Sequence, residues 1–340
     1  MQLKRVVVTG IGALTPLGNN PDIYWDNLVN GVSGAAPITR FDATNFKTRF
    51  ACEVKDFNIE DYIDRKEARR MDPFTHYAIY TSDQAVADAG LVESKIDADR
   101  VGVIWGSGIG GLTSFSQEIA DYAKGDGMPR FTPFLIPKMI GDIAAGYISI
   151  KYGFRGPNYS IVSACATSSH SLMDAFNLIR LDKADVIVTG GSEACITEAA
   201  VGGFNAMKAL SENNENYKSA SKPYDKERDG FVLGEGSAAL VLEEYEHAKA
   251  RGAKIYAEVV GASATADAYH ITAPHPDGLG VIAVMNNALK EANLKPTDID
   301  YINTHGTSTP LGDIAEIKAI QNVFGEHATK LNISSTKSMT

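Results

Sequence analysis

Among the three cysteines of the sequence, Cys165 stands where a thiol can act as a nucleophile. It follows residues 158–163, which predict a strand, and precedes residues 166–181, which predict a helix. The N-terminus of a helix carries partial positive charge, which favours a thiolate over a thiol. A thiolate in that place can accept an acyl group from a thioester. Most free cysteines are small buried hydrophobes, so position alone leaves that structural alternative open.

A nucleophilic cysteine needs a partner, and His305 is the best histidine candidate. It follows residues 299–304, a predicted buried strand, and α/β proteins gather their sites at the carboxyl ends of strands. Gly306 permits close backbone approach, and nearby threonine hydroxyls supply polar contacts. A histidine that caps a turn is the structural alternative. No His, Cys and Asp cluster has the spacing of metal ligands, so we expect no metal.

A glycine loop at residues 106–111 matches the G-x-G-x-x-G dinucleotide fingerprint after a predicted strand. The acidic residue expected about 20 residues later, at the end of the next strand, is absent, because Asp121 falls in a helix-like run. Tight turns with close backbone packing explain such a loop equally well. An NAD-dependent oxidoreductase is therefore a distant alternative that rests on this loop alone.

The chain is long enough for a large core and carries a marked negative charge. It has 340 residues, with 32 Lys and Arg against 42 Asp and Glu, for a net charge of −10. Nucleic-acid binding needs a basic surface, so this composition disfavours a nucleic-acid binder. The cysteines form no CxxC pair, which disfavours a disulfide framework and fits a reducing compartment. No apolar run reaches about 18 residues, so we expect a cytoplasmic protein without a membrane span.

Short apolar runs that predict strands alternate with longer runs that predict helices. This alternation, with uniformly apolar strands, indicates an α/β architecture with strands buried on both faces. The polar residues 211–229 predict a long loop, which is often functional. The predicted strands lie at residues 5–9, 101–105, 158–163, 185–190, 237–243, 255–264, 299–304 and 332–335. The predicted helices lie at residues 73–89, 136–150, 166–181, 280–292 and 313–324. Asp72 suits the N-cap of the first of them, and Pro73 suits its first helical position.

Motifs along the whole chain, in order, resemble those of the β-ketoacyl-acyl-carrier-protein synthases. SACATSS at 163–169 is similar to the nucleophile motif of that family. NTHGTSTPLGD at 303–313 is similar to its first catalytic histidine motif, and SSTKSMT at 334–340 to the lead-in to its second. The start at 5–12, the glycine loop and PYDKERDGF at 223–231 also match. The similarity is greatest to elongating enzymes of dissociated bacterial fatty acid synthesis.

The resemblance implies a thiolase-like fold of five layers, αβαβα, built from two similar halves, in a homodimer. We expect an N-terminal half at residues 1–250, which carries Cys165, and a C-terminal half at 251–340. The family continues past this last motif with a second catalytic histidine and a Gly-Phe-Gly-Gly loop. The chain ends at Thr340 before both, so we expect the second half to be incomplete as given.

The resemblance also implies a reaction and its catalytic residues. Acyl chains would move from acyl carrier protein to Cys165, and malonyl-carrier protein would then lose its carboxylate and attack the Cys165 thioester. His305 would donate a hydrogen bond where enolate charge grows. Lys337 would order the site electrostatically. The Cys165 backbone N–H would be one oxyanion donor, and no cofactor is implied.

The resemblance further implies residues that contact substrates and the carrier protein. Thr272, Thr307 and Thr309 would line the malonyl and pantetheine channel, whereas Ile109 and Phe204 would lie at the acyl pocket. The carrier protein would dock on a basic cluster. Lys66, Arg69 and Arg70 can share one helix face, although a solvated helix face is the commoner explanation of such a run. Arg130 and Lys208 would lie nearby.

Two alternatives within the superfamily remain besides the oxidoreductase. The first is a polyketide ketosynthase or a condensing enzyme of the synthase I type, from which the motifs do not distinguish this chain. The second is a thiolase-like degradative enzyme. A thiolase uses a second cysteine as base, and nothing in the sequence places Cys52 or Cys195 in that role. Relatives that serve only as chain-length factors lack the nucleophilic cysteine, so Cys165 argues against them.

Overall fold

The computed structural model describes residues 3–340 and divides the chain into two compact units. The first unit comprises the chain up to Asn27, then Glu53–Ala199 and Gly234–Val259. The second comprises Leu28–Cys52, Ala200–Leu233 and Val260–Thr340. Each unit therefore contains stretches that are distant in sequence, and Cys165 and His305 belong to different units.

The described residues confirm the α/β class. Strands occur at β1 Val6–Leu14, β2 Ala36–Pro37, β3 Phe50–Ala51, β4 Val101–Gly106, β5 Asn158–Ile161, β6 Val186–Glu193, β7 Gly236–Glu244, β8 Ala257–Val259, β9 Tyr301–Asn303 and β10 Asn332–Ser334. Helices occur at α1 Pro21–Val29, α2 Arg65–Ala68, α3 Pro73–Asp88, α4 Leu112–Lys124, α5 Leu135–Met139, α6 Ile143–Tyr152, α7 Thr167–Arg180, α8 Glu198–Ala206, α9 Tyr245–Ala250, α10 Leu279–Ala292 and α11 Pro310–Phe324.

The first unit is built on a mixed six-stranded sheet in the order β5-β4-β6-β7-β1-β8. β5 and β6 both pair parallel with β4, whereas β7 and β1 continue the sheet antiparallel. Val103 and Trp105 of β4 join the core cluster of α3 and α6, whereas Gly106, on the other face, packs on Thr167 of α7. Helices thus cover both faces, as the uniformly apolar strands predict.

Helix α3 shows how the sequence positions elements that later bear on the site. Asp72 caps it by accepting a hydrogen bond from the Phe74 N–H at 3.2 Å, and Pro73 occupies its first turn, both as predicted. The other Asp72 oxygen accepts the Ser114 N–H at 2.8 Å, which ties α3 to the first turn of α4. α3 also packs tightly on β1, where a Cβ on Gly12 would meet the Thr81 carbonyl oxygen at 2.0 Å.

The second unit carries a parallel pair, β9 and β10, and the packed helices α10 and α11. Its short antiparallel pair β2–β3 comes from a distant part of the chain. The predicted loop at 211–229 is irregular apart from a 3₁₀ turn at Tyr217–Ser219. Helix α11 begins at Pro310, earlier than predicted, because Thr309 adopts extended backbone before a proline that suits the first helical turn.

Two predicted elements differ from the structure. The helix predicted at 136–150 is two helices, α5 and α6, because the Met139 carbonyl accepts the Gly111 N–H instead of continuing the first helix. The strand predicted at 255–264 is only β8. Beyond it, the Ala262 N–H donates to the Glu291 carboxylate at 2.6 Å, and a Cβ on Gly261 would meet the Ala288 carbonyl oxygen.

Within residues 3–340, no helix combines the length and apolarity needed to span a membrane. The same part of the chain holds no group of three or more His, Cys, Asp or Glu side chains arranged to bind a metal ion.

Candidate active site

Cys165 lies exposed in a 3₁₀ turn, Ala164–Ala166, directly before α7, as its position in the sequence predicts. Ala164 adopts a φ of 49°, a left-handed conformation that costs a non-glycine residue about 1 kcal/mol or more. The turn is fixed by the Ser163 N–H, which donates to Thr167 Oγ1 at 2.8 Å. His170 Nδ1 lies 2.7 Å from Ser163 Oγ, so this histidine supports the turn. The thiol is therefore held out to solvent on a strained, braced turn.

Three parallel strands bring chemistry to one edge of the sheet. β4 and β5 run parallel, as do β4 and β6, so their carboxyl ends meet at the same edge. The glycine loop 106–111 follows β4, the Cys165 turn follows β5, and Glu193 ends β6. A Cβ on Gly108 would lie 3.4 Å from the Ala164 carbonyl oxygen, so the loop and the turn are neighbours.

The glycine loop closes around the Glu193 carboxylate. Glu193 Oε2 accepts the N–H groups of Gly108 at 2.8 Å and Ile109 at 3.2 Å, and Oε1 accepts the Ser107 hydroxyl at 3.1 Å. A dinucleotide pyrophosphate would need such N–H groups and would be repelled by the carboxylate. The contacts of Glu193 thus disfavour the oxidoreductase alternative.

Close packing accounts for the glycines at the end of the loop. A Cβ on Gly111 would lie 2.0 Å from the Lys138 carbonyl oxygen, and one on Gly110 would lie 2.7 Å from that of Met139. Both carbonyls belong to α5. The structural explanation of this loop, a turn with close backbone approach, is therefore confirmed.

The other two cysteines are buried, Cys52 in the second unit and Cys195 in the first. Burial, with the carboxylates of Glu193 and Glu235 as smaller causes, raises the pKa of the Cys195 thiol. A buried thiol that resists ionisation is a poor base. The environment of Cys195 therefore does not suit the second cysteine of a thiolase.

In the second unit, His305 lies in the loop after β9, and Glu316 of α11 fixes that loop. The His305 N–H donates to Glu316 Oε1 at 2.7 Å, and the Gly306 N–H donates to Oε2 at 2.9 Å. Ser335 Oγ donates to the Gly306 carbonyl oxygen at 2.8 Å from the segment that follows β10. The histidine backbone is therefore anchored on both sides of the loop.

The long polar segment 211–229 supplies a second set of anchors. The Tyr224 hydroxyl donates to Glu316 Oε2 at 2.9 Å, and its N–H donates to Asp313 Oδ2 at 2.7 Å. Arg228 Nε donates to the Thr309 carbonyl oxygen at 3.0 Å and lies 3.3 Å from Asp313 Oδ2. This part of the predicted loop therefore has a defined task, which is to hold the backbone around His305.

The His305 imidazole is open to solvent on one side and crowded by protein on the other. Desolvation on the crowded side lowers its pKa, and the positive charge of Lys337 lowers it further, against the carboxylates of Glu316 and Asp313. The lowered pKa favours the neutral imidazole at pH 7, and the structure brings Lys337 close enough to influence it.

The predicted substrate-contacting residues fall into both units. Thr307 Oγ1 and Thr309 Oγ1 lie 3.0 Å apart beside His305. Thr272 is exposed in the loop between β8 and α10, where its N–H donates to His270 Nδ1 at 3.2 Å. Phe204 of α8 packs edge-on against Phe231, with ring centroids 5.2 Å apart. Ile109 belongs to the first unit, and its side chain is exposed.

All five predicted docking cations are exposed. Helix α2 ends at Ala68, so Arg69 and Arg70 lie in the turn after it and do not extend one helix face with Lys66. Arg70 lies over the Phe134 ring, with the guanidinium carbon 5.3 Å from the centroid. Arg130 makes two hydrogen bonds with the Asp126 carboxylate, at 3.0 and 2.8 Å. Lys208 belongs to the second unit.

Sequence reasoning missed Glu193, which organises the glycine loop of the first unit, and Glu316, which organises the His305 loop of the second. Glu193 carries one available signal, because an acidic residue at the end of a buried strand needs partners. Glu316 carries a weaker signal, since its position is typical of an acidic residue on the polar face of an amphipathic helix. Their partners are mainly backbone N–H groups of other segments of the chain, which residue types do not reveal.

Comparisons with known proteins agree along the whole chain. Residues 3–248 match the family model of the beta-ketoacyl synthase N-terminal domain, and residues 256–340 match that of the C-terminal domain. The chain is 51% identical to 3-oxoacyl-[acyl-carrier-protein] synthase 2 of Staphylococcus aureus (strain COL), over all of this chain and 81% of the relative. It is 50% identical to the synthase 2 of Synechocystis sp., over all of this chain and 82% of that relative.

Solved structures show the same relationship. A beta-ketoacyl synthase from Burkholderia phymatum superimposes with a TM-score of 0.90 at 35% identity, over 98% of this chain and 81% of that one. A type II polyketide ketosynthase, solved with its acyl-carrier protein and bound to the hexaketide, gives a TM-score of 0.88 at 35% identity, over 100% and 82% of the two chains.

Proposed function

The chain belongs to the β-ketoacyl synthase family, and from that premise we propose which residues perform its chemistry. Its fold is the thiolase-like α/β fold of ketosynthases, and it is an acyl-transferring condensing enzyme. The proposed reaction joins an acyl group held on Cys165 to malonyl-acyl-carrier protein, and gives 3-oxoacyl-carrier protein in fatty acid elongation. The exposed Cys165 thiol on its strained turn is the observation that carries this proposal.

The first half-reaction requires only the cysteine and its surroundings. The Cys165 Sγ attacks the thioester carbonyl of the acyl donor, a bond to sulfur forms, and the pantetheine thiol leaves. The backbone N–H of Cys165 would donate to the oxyanion of the tetrahedral intermediate. The braced turn from Ser163 to Thr167 supports this step, because it holds both the thiol and that N–H in one orientation.

The second half-reaction requires a donor where negative charge develops. When the malonyl group loses carbon dioxide, its electron pair moves into an enolate, which attacks the Cys165 thioester and releases the thiolate. A neutral His305 would donate a ring N–H to the enolate oxygen. Glu316 would hold the backbone that carries this imidazole. Lys337 would help to keep the imidazole neutral, in keeping with the lowered pKa of His305.

Polar residues would contact the pantetheine arm of the substrate, and apolar residues would contact its acyl chain. The adjacent hydroxyls of Thr307 and Thr309 suit the amides of a pantetheine arm, and we assign Thr272 to the same channel. Ile109 and Phe204 are assigned to the acyl pocket. Polyketide condensation is the second candidate reaction, because one similar solved structure is a polyketide ketosynthase. The higher identity to the synthase 2 relatives favours fatty acid elongation.

The reaction can be tested directly by mass. The protein is mixed with an acyl donor and malonyl-acyl-carrier protein, and the products are weighed intact. We expect Cys165 to gain the mass of the acyl group, followed by a carrier protein that bears the 3-oxoacyl chain. A malonyl-carrier protein that remains unchanged beside acylated enzyme would contradict the condensation step. Acyl-enzyme without preference for fatty over polyketide intermediates would favour the second candidate.

We propose acyl carrier protein as the partner of the basic residues. Its acidic surface would complement Lys66, Arg69, Arg70, Arg130 and Lys208 despite the net negative charge of the enzyme. The exposure of these side chains supports the assignment. One similar ketosynthase has been solved in complex with an acyl-carrier protein, which supports the class of partner.

Reversing two of these charges should weaken docking selectively. We expect Lys66→Glu with Arg70→Glu to raise the KM for acyl-carrier protein about tenfold or more, because attraction becomes repulsion. Acylation of Cys165 by a small thioester should not change. A matched control is Lys183→Glu with Lys249→Glu, which alters the same charge in the loop after α7 and in α9. Equal losses with both donors would contradict the docking assignment.

We propose that two copies of the chain associate through the β5 side of the first unit. Within residues 3–340, β5 is an edge strand that pairs only with β4, and such edges commonly pair with another chain. Apolar side chains are exposed on and beside it: Tyr159 is 37% exposed, Val162 67% and Ile150 80%. An edge strand bordered by apolar groups fits a second copy of itself, in keeping with the homodimer expected from the sequence.

Sedimentation velocity tests this association. The protein should sediment as a dimer, and Ile150→Asp should shift it towards the monomer, because a charge would be buried without a partner. Val92→Asp, at an apolar position of the first unit that is 71% exposed, should leave the dimer intact. A monomeric unmodified protein at micromolar concentration would contradict the proposal.

A further inference from the structure

Glu193 is an acidic side chain that accepts several hydrogen bonds and has no role in the proposed reaction. We propose that Glu193 is a positioning residue that makes the enzyme discriminate among acyl donors, because it fixes the glycine loop beside Cys165. The inference rests on the proposed acyl transfer to Cys165. It concerns which chains are accepted, and it assigns Glu193 no contact with substrate.

One carboxylate determines the path of four consecutive residues. Glu193 Oε2 accepts the Gly108 and Ile109 N–H groups, and Oε1 accepts the Ser107 hydroxyl. Ser107 Oγ in turn accepts the Gly110 N–H at 2.9 Å. The backbone from Ser107 to Gly110 therefore has a single common support at the end of β6.

Burial makes an ionised Glu193 carboxylate energetically unfavourable, so the carboxylate depends on its hydrogen-bond donors. Burial raises the pKa of its carboxyl, and the Asp72 carboxylate adds to this, whereas the hydrogen bonds from Ser107, Gly108 and Ile109 oppose it. A buried carboxyl group that stays ionised needs all of its hydrogen-bond donors. Loop and carboxylate thus stabilise each other, and removal of the carboxylate releases the loop.

The supported loop lies against the nucleophile turn, the 3₁₀ turn Ala164–Ala166 that carries Cys165. A Cβ on Gly108 would lie 2.9 Å from Glu193 Oε2 and 3.4 Å from the Ala164 carbonyl oxygen, so the loop backbone fits between them. Ala164 directly precedes Cys165, and Ile109, with 46% of its surface exposed, directly follows Gly108. An acyl chain that grows from the cysteine sulfur begins beside this loop. Ile109 is assigned to the acyl pocket, which a longer chain fills further, so we expect the loop position to affect a long chain more than a short one.

The test compares rates of Cys165 acylation by hexanoyl and dodecanoyl thioesters, followed by intact mass. This half-reaction needs neither malonyl substrate nor His305. We expect Glu193→Ala to change the ratio of the two rates about fivefold or more, a size that loss of one set of positioning hydrogen bonds can produce. Glu193→Gln should restore most of the original ratio, because its amide oxygen can accept the Gly108 and Ile109 N–H groups.

A second variant keeps the test decisive if Glu193→Ala does not fold. Ser107→Ala leaves the carboxylate in place but removes two of the loop bonds, and it should move the ratio in the same direction. Thr113→Val is its matched control, because it removes one hydrogen bond to the Ala194 carbonyl oxygen, at 2.7 Å, without touching the loop. That control should keep the original ratio.

The possible outcomes separate this inference from the proposed function. If the unmodified protein is acylated but both Glu193→Ala and Ser107→Ala change the two rates equally, Glu193 has only a structural role and the inference is overturned. The same holds if Thr113→Val moves the ratio as much as Ser107→Ala. If neither thioester acylates the unmodified protein, the proposed function fails, and this inference with it.

Discussion

Protein carrying Cys165→Ala should form no acyl-enzyme, and condensation should fall by about four orders of magnitude or more. The sulfur is the only atom in this mechanism that forms a covalent bond to the acyl chain, so no neighbouring group can replace it. Intact mass after incubation with an acyl thioester measures the first effect, and formation of 3-oxoacyl-carrier protein measures the second.

Buried thiols provide the control for that experiment. Cys195→Ala removes a thiol of the same unit that is 3% exposed and should leave acylation in place. Condensation by Cys165→Ala at a rate near that of the unmodified protein would show that the proposed nucleophile is wrong. Acyl mass retained by that variant would point to a different acceptor side chain.

His305→Ala should reduce condensation by about 10²–10³-fold, the usual loss when one donor to a developing oxyanion is removed. Acylation of Cys165 should remain, since the assigned step of His305 is the decarboxylation of malonyl substrate. The two half-reactions can be measured separately by enzyme mass and by carbon dioxide release. A variant that loses acylation and carbon dioxide release to the same degree would contradict the division of labour between the two residues.

The ionisation of His305 adds a pH signature to this prediction. Desolvation and the Lys337 charge lower its pKa below its ordinary value of about 6.5, so the imidazole stays neutral at pH 7. Condensation should therefore decline only below about pH 6.5, as the imidazole gains a proton. Lys337→Gln removes a charge that lowers the pKa, so the decline should move to higher pH. An unchanged or acid-shifted profile would contradict that influence of Lys337.

The sequence predicts the framework well because its signals there are local. Uniformly apolar runs such as β4 mark buried strands, and Asp72 with Pro73 marks the start of α3. The helix predicted at 136–150 breaks because Met139 bonds to Gly111, a partner in another element that helical periodicity does not detect. The strand predicted at 255–264 is too long for the same reason. Beyond β8, the Ala262 N–H bonds to the distant Glu291 side chain, which a pattern of apolar residues does not detect.

The site residues divide in the same way. As candidates, Cys165 and His305 are predictable, because a reactive side chain directly after a strand is a local pattern. Glu193 and Glu316 are not, because each acts on backbone groups that come from 84 to 86 residues and from 10 to 11 residues away in sequence. Their importance lies in what they hold in place, and residue type alone does not show it.

The anchoring of the His305 loop has a consequence for how the protein reaches its native state. Tyr224 and Arg228 contact α11 and the residue before it across separations of 81 to 92 positions, whereas Glu316 contacts the His305 loop across only 10 or 11. Contacts that close long loops form late, because their entropic cost must first be offset by other structure. We therefore expect the contacts of Glu316 with the His305 loop to form before those from Tyr224 and Arg228. A folding intermediate that lacks the contacts from Tyr224 and Arg228 would accordingly hold the His305 loop by its local contacts alone.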